Sequence, residues 1–377
     1  LNRTFFIHRL SKIPDEQQNH NAAMLAEQIS EHHFTFETGK TRYLAAGPED
    51  GPLIILIHGW IAVAETWQPQ LLALSALGFR VVAPDTRGYG GSTVTRNVKD
   101  YALEQHVSDM LALLKHLGRE QAVWIGHDWG CGLVWAFVAH HPEACAGVVC
   151  MTVPYRTIEF GLDKLVSLVN RELYPVDKYP FGQWEYQNFH AKQAARSEAT
   201  LDADPESTIK CLYMKGDPAN YRKPAMTSDL SIRGGWWGEA DSAPKIPIEA
   251  TLLDGHPDIL EKLRDTIKNN GSFGPNAYYL NHDVNKAYSE KSANDGILNM
   301  PVLFIGARFD GTCNTSVSRL SEPMQQSCTN LTECTLDSGH WVAFEQPRET
   351  NAVIVKWLVT NLPSQWPGFG KIPFETN

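Results

Sequence analysis

The sequence predicts an α/β protein: a mostly parallel sheet covered by helices on both faces and interrupted by a helical insertion. Three observations predict it. Short continuous apolar runs alternate with helical patterns between residues 53 and 151. That alternation stops near Pro154 and resumes at Pro301. Between one strand-like run and the helix after it stands Gly126-His127-Asp128-Trp129-Gly130, the spacing of a sharp strand-to-helix turn. Strands buried on both faces read as unbroken apolar runs, which a parallel sheet between two helical layers requires.

The elements follow in order. Residues 1–50 are polar and carry a predicted lead-in helix over Asp15–Ile29 and two strands, His33–Thr38 and Arg42–Ala46. Leu53–Ile57 is a buried strand ending in His58-Gly59, and residues 65–77 form a helix with Leu71, Leu72, Leu74 and Leu77 on its apolar side. Arg80–Ala83 is the next strand, and Asp85-Thr86-Arg87-Gly88-Tyr89-Gly90 follows it. Val107, Met110, Leu111, Leu114 and Leu117 recur at helical spacing within 101–117. Ala122–Ile125, a helix over 130–140 and Gly147–Met151 complete the first part. Residues 155–295 are dense in Trp, Tyr, Pro and charge, with patchy helical patterns and no apolar strand. Strands then return at Pro301–Ile305 and Leu331–Leu336, with an amphipathic helix near 348–361. The predicted organisation is a core in two parts, 1–154 and 296–377, around a helical cap, 155–295.

Composition narrows the function. The chain has 377 residues, 43% of them hydrophobic, enough for a substantial core. Thirty-three Lys and Arg against 43 Asp and Glu give a net charge of −10, the wrong sign for a nucleic-acid partner. No run of about 18 apolar residues suggests a membrane span. The seven cysteines include no metal-ligand spacing, so no metal is expected. Cys131, Cys145 and Cys150 read as buried, whereas Cys313, Cys328 and Cys334 are placed for one bridge among them. The first residue is not Met, and Asn2, Asn270, Asn314 and Asn330 open N-x-[ST] sequons, where chance gives about two. Both lean toward a secreted rather than a cytoplasmic protein.

The chemistry centres on Asp128. Glycines at 126 and 130 permit a turn whose central residue is strained and exposed, and a helix N-terminus there favours an anion. The ordinary alternative is an Asp acting as a helix cap. An acid and then a His are expected downstream, each just beyond a strand. Asp310 follows the strand at 301–306, and His340 follows the strand at 331–336. The N–H groups of Trp60 and Trp129 are candidate oxyanion donors. A carboxylate attacks without first losing a proton and suits displacement at an sp³ carbon, giving an alkyl ester. His340, oriented by Asp310, then activates water against that ester. An epoxide oxygen leaves as an alkoxide and needs an acid, for which Tyr is suitable; a halide leaves unaided.

These residues resemble the epoxide hydrolase family of the α/β-hydrolase fold. The resemblance covers most of 40–365 and rests on His58-Gly59-Trp60, Asp85–Ser92, Gly126–Gly130 and Gly339-His340-Trp341 with Glu345-Gln346-Pro347. It implies a cofactor-free enzyme, a small apolar epoxide and water as substrates, no membrane span, and a monomer or homodimer. It also implies two cap tyrosines on the epoxide oxygen. Trp184-Glu185-Tyr186-Gln187-Asn188-Phe189 nominates Tyr186, and Gly274–Asn281 nominates Tyr279, with Tyr278 one residue away. One position departs. The family usually has Pro, often in a cis bond, where this chain has Ile61. A non-proline cis bond costs about 3 kcal/mol, so a trans bond and a different loop shape are expected. The rival readings are a dehalogenase using Asp128, His340 and Asp310 with Trp129 and Trp184, Trp236 or Trp237 on the halide; a hydrolase of a lactone or β-diketone; and a catalytically quiet receptor for a small ligand.

Overall fold

The apolar runs assemble into one eight-stranded sheet. The computed structural model describes residues 28–369. Its strands are β1 (Ile29–Phe36), β2 (Gly39–Ala46), β3 (Leu53–Ile57), β4 (Arg80–Pro84), β5 (Ala122–His127), β6 (Cys145–Met151), β7 (Val302–Ala307) and β8 (Leu331–Leu336). Their spatial order is β1-β2-β4-β3-β5-β6-β7-β8. β2 pairs antiparallel with both β1 and β4, and every pairing from β4 to β8 is parallel. Every residue of β3, β5 and β7 is buried, as expected for strands covered on both faces. β8 lies at an edge and loses that pattern.

Residues 15–27 of the expected lead-in helix lie outside the described residues, and Ile29 opens β1 instead. Ile29 pairs with Ala46, so hairpin pairing along eight residues overrides the helical pattern there.

The principal core helices are α1 (Gln68–Ser75), α2 (Leu103–His116) and α3 (Trp129–His140). Between β6 and β7 come α4 (Leu162–Ser167), α5 (Glu185–Lys192), α6 (Ala194–Asp202), α7 (Pro205–Leu212), α8 (Pro257–Asn270), α9 (Phe273–Ala277) and α10 (His282–Ser289); α11 (Pro347–Asn361) follows β8. The segment between β6 and β7 adds no strand to the sheet, and its own β pairing is the isolated Met214–Thr251 bridge.

Alternate strand residues feed two cores. Ile54, Leu56, Val81, Val123 and Ile125 pack with Leu71, Leu74, Ile354 and Leu358 from α1 and α11. Leu53, Ile55, Ile57, Val82 and Trp124 pack with α2, α3 and the segment between β6 and β7. α3 is apolar all round, and Trp129 through Ala139 are all buried, because it is covered on every side.

The cysteines are all free, so the bridge considered among Cys313, Cys328 and Cys334 does not form. Cys313 and Cys328 are packed in the apolar core, and Cys334 lies on β8. Two sequon asparagines serve the fold: the Asn314 amide donates to the Arg308 carbonyl (2.6 Å), and that of Asn270 donates to the Gly90 carbonyl (2.9 Å). No helix among the described residues is long and apolar enough to cross a membrane.

One buried ion cluster ties β2 to the loops on either side of α1 and β4. Arg42 donates to Glu65 (2.6 Å), Asp85 (2.9 Å) and Glu31 (2.7 Å). Asp85 also accepts from the Ala64 N–H (2.9 Å) and the Gly91 N–H (3.2 Å). Removing the cation leaves two buried carboxylates without a countercharge. Arg42→Ala is therefore expected to lower stability by about 3–5 kcal/mol, read as a shift in the urea unfolding midpoint.

Candidate active site

β5 delivers Asp128 to the middle of the sheet, at the point where strand becomes helix. Asp128 adopts φ 54° and ψ −123°, a conformation that L-residues rarely tolerate, and this lifts its carboxylate out of the line of the strand. The neighbours must be bare for that turn to close. A Cβ on Gly130 would lie 2.1 Å from the Ile57 carbonyl, and one on Gly59 would lie 2.5 Å from the Asp128 side chain.

The two oxygens of Asp128 meet different partners. The Trp60 N–H donates to Oδ1 at 2.7 Å, and the Trp129 N–H at the start of α3 also favours the anion. Oδ2 lies 3.6 Å from His340 Nε2. His340 Nδ1 is 2.8 Å from Asp310 Oδ2, and Asp310 Oδ1 accepts from the N–H groups of Thr312 (2.8 Å) and Cys313 (2.9 Å). Asp128, His340 and Asp310 are thus brought together from the ends of β5, β8 and β7.

Burial and charge set the protonation states. Burial raises the Asp128 carboxyl above its usual value, against the pull of His340 and of the two N–H donors. For Asp310, burial is outweighed by His340 and two backbone donors, which hold the carboxyl below the usual range. Burial works against a charged His340, yet Asp310 and Asp128 overcome it and push the imidazole up to about 9. Cys313 completes a compact group with Asp310 and His340, but its thiol is driven far up by burial and by those carboxylates.

The segment between β6 and β7 places aromatic side chains around this set. The rings of Tyr186 and Tyr279 meet edge-to-face at 5.3 Å. Tyr279 also lies edge-on to Trp129 (5.4 Å) and Trp60 (6.0 Å). Burial, joined by the negative charge of Asp128, raises both phenols well above their ordinary value. Tyr278 is oriented differently: its hydroxyl lies 2.9 Å from the Arg87 carbonyl and 3.0 Å from Thr86 Oγ1, so it anchors the segment to the loop after β4. Trp236 stacks on Trp60 at 5.4 Å. No cis peptide bond occurs among the described residues, and Ile61 adopts φ 42°.

The fold is shared with known proteins. The family model described as alpha/beta hydrolase fold matches residues 52–347. The chain is 30% identical over 359 residues to Epoxide hydrolase B of Mycobacterium tuberculosis, covering 84% of this chain and 94% of that protein. The chain belongs to the epoxide hydrolase family. It is also 28% identical to Bifunctional epoxide hydrolase 2 of Rattus norvegicus, over 83% of this chain and 52% of that longer protein. The crystal structure of Epoxide Hydrolase A from Mycobacterium thermoresistibile superposes with a TM-score of 0.66 at 26% identity, covering 88% of this chain and 98% of that one.

Within this epoxide hydrolase framework, residues that the sequence offers as structural or as motif context support the site. His58 accepts from the Thr86 N–H (3.0 Å) and donates through Nδ1 to the Gly59 carbonyl (3.0 Å), fixing the loop that carries Trp60. His127 Nε2 donates to the His340 carbonyl (2.8 Å). Glu345 accepts from the N–H groups of Gly339 (2.8 Å) and Gly216 (3.1 Å). Their signal was present only as motif context, beside Gly59, Asp128 and His340.

The field around His340 has a measurable consequence. Its imidazole is expected to titrate near 9 by NMR. Both Asp310→Asn and Asp128→Asn remove a carboxylate that favours the imidazolium, so each is expected to move the midpoint down.

Proposed function

We propose that this epoxide hydrolase opens a small apolar epoxide to a vicinal diol through an ester on Asp128, with residues 155–295 acting as the cap. The observation that carries this reading is the division of labour at one carboxylate. Oδ1 is held by a backbone N–H, while Oδ2 lies on the His340 side and is available for attack. The Tyr186–Tyr279 pair supplies the acid that an epoxide requires.

The steps balance on these residues. Asp128 Oδ2 attacks a ring carbon, the C–O bond breaks, and a hydroxyl of Tyr186 or Tyr279 gives its proton to the leaving oxygen. The product is an alkyl ester with Oδ1 as its carbonyl oxygen. His340 then takes a proton from water as the water oxygen bonds to the ester carbon. The negative charge that develops on Oδ1 is held by the N–H groups of Trp60 and Trp129. Collapse breaks the ester C–O bond, and the departing alkoxide takes the proton from His340. The regenerated acid releases one proton, which matches the one lost by the tyrosine.

Esterification also prepares the second step. Asp128 loses its charge, so one of the two carboxylates holding the imidazolium disappears. His340 then releases its proton more readily and can act as a base. The surrounding rings of Trp60, Trp129 and Trp236 favour aryl or alkyl substituents over charged ones.

The test is product analysis on aryl epoxides, alkyl epoxides and haloalkanes. Wild type is expected to form diol, and Asp128→Ala none. His340→Gln should accumulate an adduct heavier than the enzyme by one epoxide. Tyr186→Phe and Tyr279→Phe should each reduce turnover by about 10²-fold, the usual contribution of a general acid. Halide release without diol would overturn this reading in favour of a dehalogenase. Because burial raises the Asp128 carboxyl, kcat/KM should fall on acidification at a higher pH than an exposed Asp would give.

A further inference from the structure

We infer that Tyr213 is a positioning residue for ester hydrolysis, clamping from the cap segment the turn whose Trp60 N–H serves Asp128. This inference rests on the reading of Asp128 as the nucleophile.

The turn needs a clamp. Gly59 to Ala62 closes through an Ala62 N–H bond to the Gly59 carbonyl (3.2 Å), with Ile61 at φ 42°. A β-branched residue is strained in that region, and no proline ring fixes the backbone there. The Ile61 peptide groups are instead held from two sides. Its N–H donates to the Tyr89 hydroxyl (3.3 Å), and its carbonyl accepts from the Tyr213 hydroxyl (2.9 Å). Ile61 is adjacent to Trp60, whose N–H reaches Asp128 Oδ1 at 2.7 Å.

Tyr213 is itself rigidly placed. It is fully buried at the end of α7, and its N–H donates to the Ile209 carbonyl (3.0 Å). Its carbonyl accepts from the Leu252 N–H (2.9 Å). Its ring stacks on Trp341 at 4.0 Å and 13°. Trp341 follows His340 directly and donates through its indole to the Leu212 carbonyl (2.8 Å). One phenol therefore holds the donor loop through its hydroxyl and rests on the histidine loop through its ring.

The two chemical steps depend on this clamp unequally. Attack uses Oδ2. Hydrolysis puts a full negative charge on Oδ1, where the Trp60 N–H must be aimed. A displaced donor therefore slows hydrolysis more than alkylation.

The experiment is single-turnover mixing of excess full-length enzyme with styrene oxide, with the adduct followed by intact mass after acid quench. Tyr213→Phe keeps the stacking ring and removes only the hydroxyl. Ester formation is expected to stay within about 3-fold of wild type while its decay slows about 10- to 100-fold, as misplacing a transition-state donor does. The adduct then accumulates, and kcat falls far more than the rate of alkylation. Adding Ile61→Gly should restore about half or more of the lost decay rate, because glycine adopts positive φ without strain. A Tyr213→Phe adduct that decays at the wild-type rate, or a double variant with no recovery, overturns the inference and leaves the proposed function intact. Wild type forming neither adduct nor diol overturns both.

Discussion

The molecule is organised around one turn that must be strained. Asp128 leaves β5 at positive φ, and Ile57, His58 and Gly59 pass close enough that no side chain fits at 59 or 130. Such a turn persists only where its surroundings over-determine it. They do so here: β5 lies between β3 and β6 inside the sheet, and α3, which begins at Trp129, is buried along almost its whole length. The strain is local, and the packing that opposes its relaxation is spread over both apolar cores. The benefit is a carboxylate lifted clear of the strand and aimed at backbone donors.

The loops beside that turn hold three imidazoles in different surroundings. His58 and His127 are buried among backbone groups, and burial holds both below the usual histidine range, His127 to about 3. They are neutral struts that use their ring nitrogens to fix the loops of Trp60 and His340. His340 meets two carboxylates instead and is pushed up to about 9. Of these three, only His340 donates to a carboxylate, whereas His58 and His127 bond backbone groups.

Much of this was legible in the sequence. The strands showed themselves because a buried parallel strand has no polar face to interrupt its apolar run, and Leu53–Ile57 matches β3 residue for residue. Asp128, Asp310 and His340 were nominated because each stands just beyond a strand, and parallel strands bring those ends together. The state of Cys313, Cys328 and Cys334 was not legible, because their polar neighbours in sequence say nothing about the apolar core that Cys313 and Cys328 enter. The local pattern nominated Tyr279 and left Tyr278 as an alternative one residue away. Their directions depend on a short turn of 3₁₀ helix after α9, which sends one hydroxyl to the Arg87 carbonyl and the other ring toward Trp129. Tyr213 gave no signal at all, since its partner is the backbone of a residue 152 positions away.

That last contact belongs to a pattern. The segment between β6 and β7 docks on the rest of the chain largely through main-chain groups. Tyr278 meets the Arg87 carbonyl and Tyr213 the Ile61 carbonyl, while the Leu212 carbonyl accepts from Trp341 and the Gly216 N–H donates to Glu345. Most of these bonds land on, or directly beside, the loops that carry Trp60, Asp128 and His340. Docking the tyrosines and aligning the loops are therefore one physical event. Where the docking partner is a main-chain carbonyl, a side-chain substitution in the loop leaves the acceptor in place.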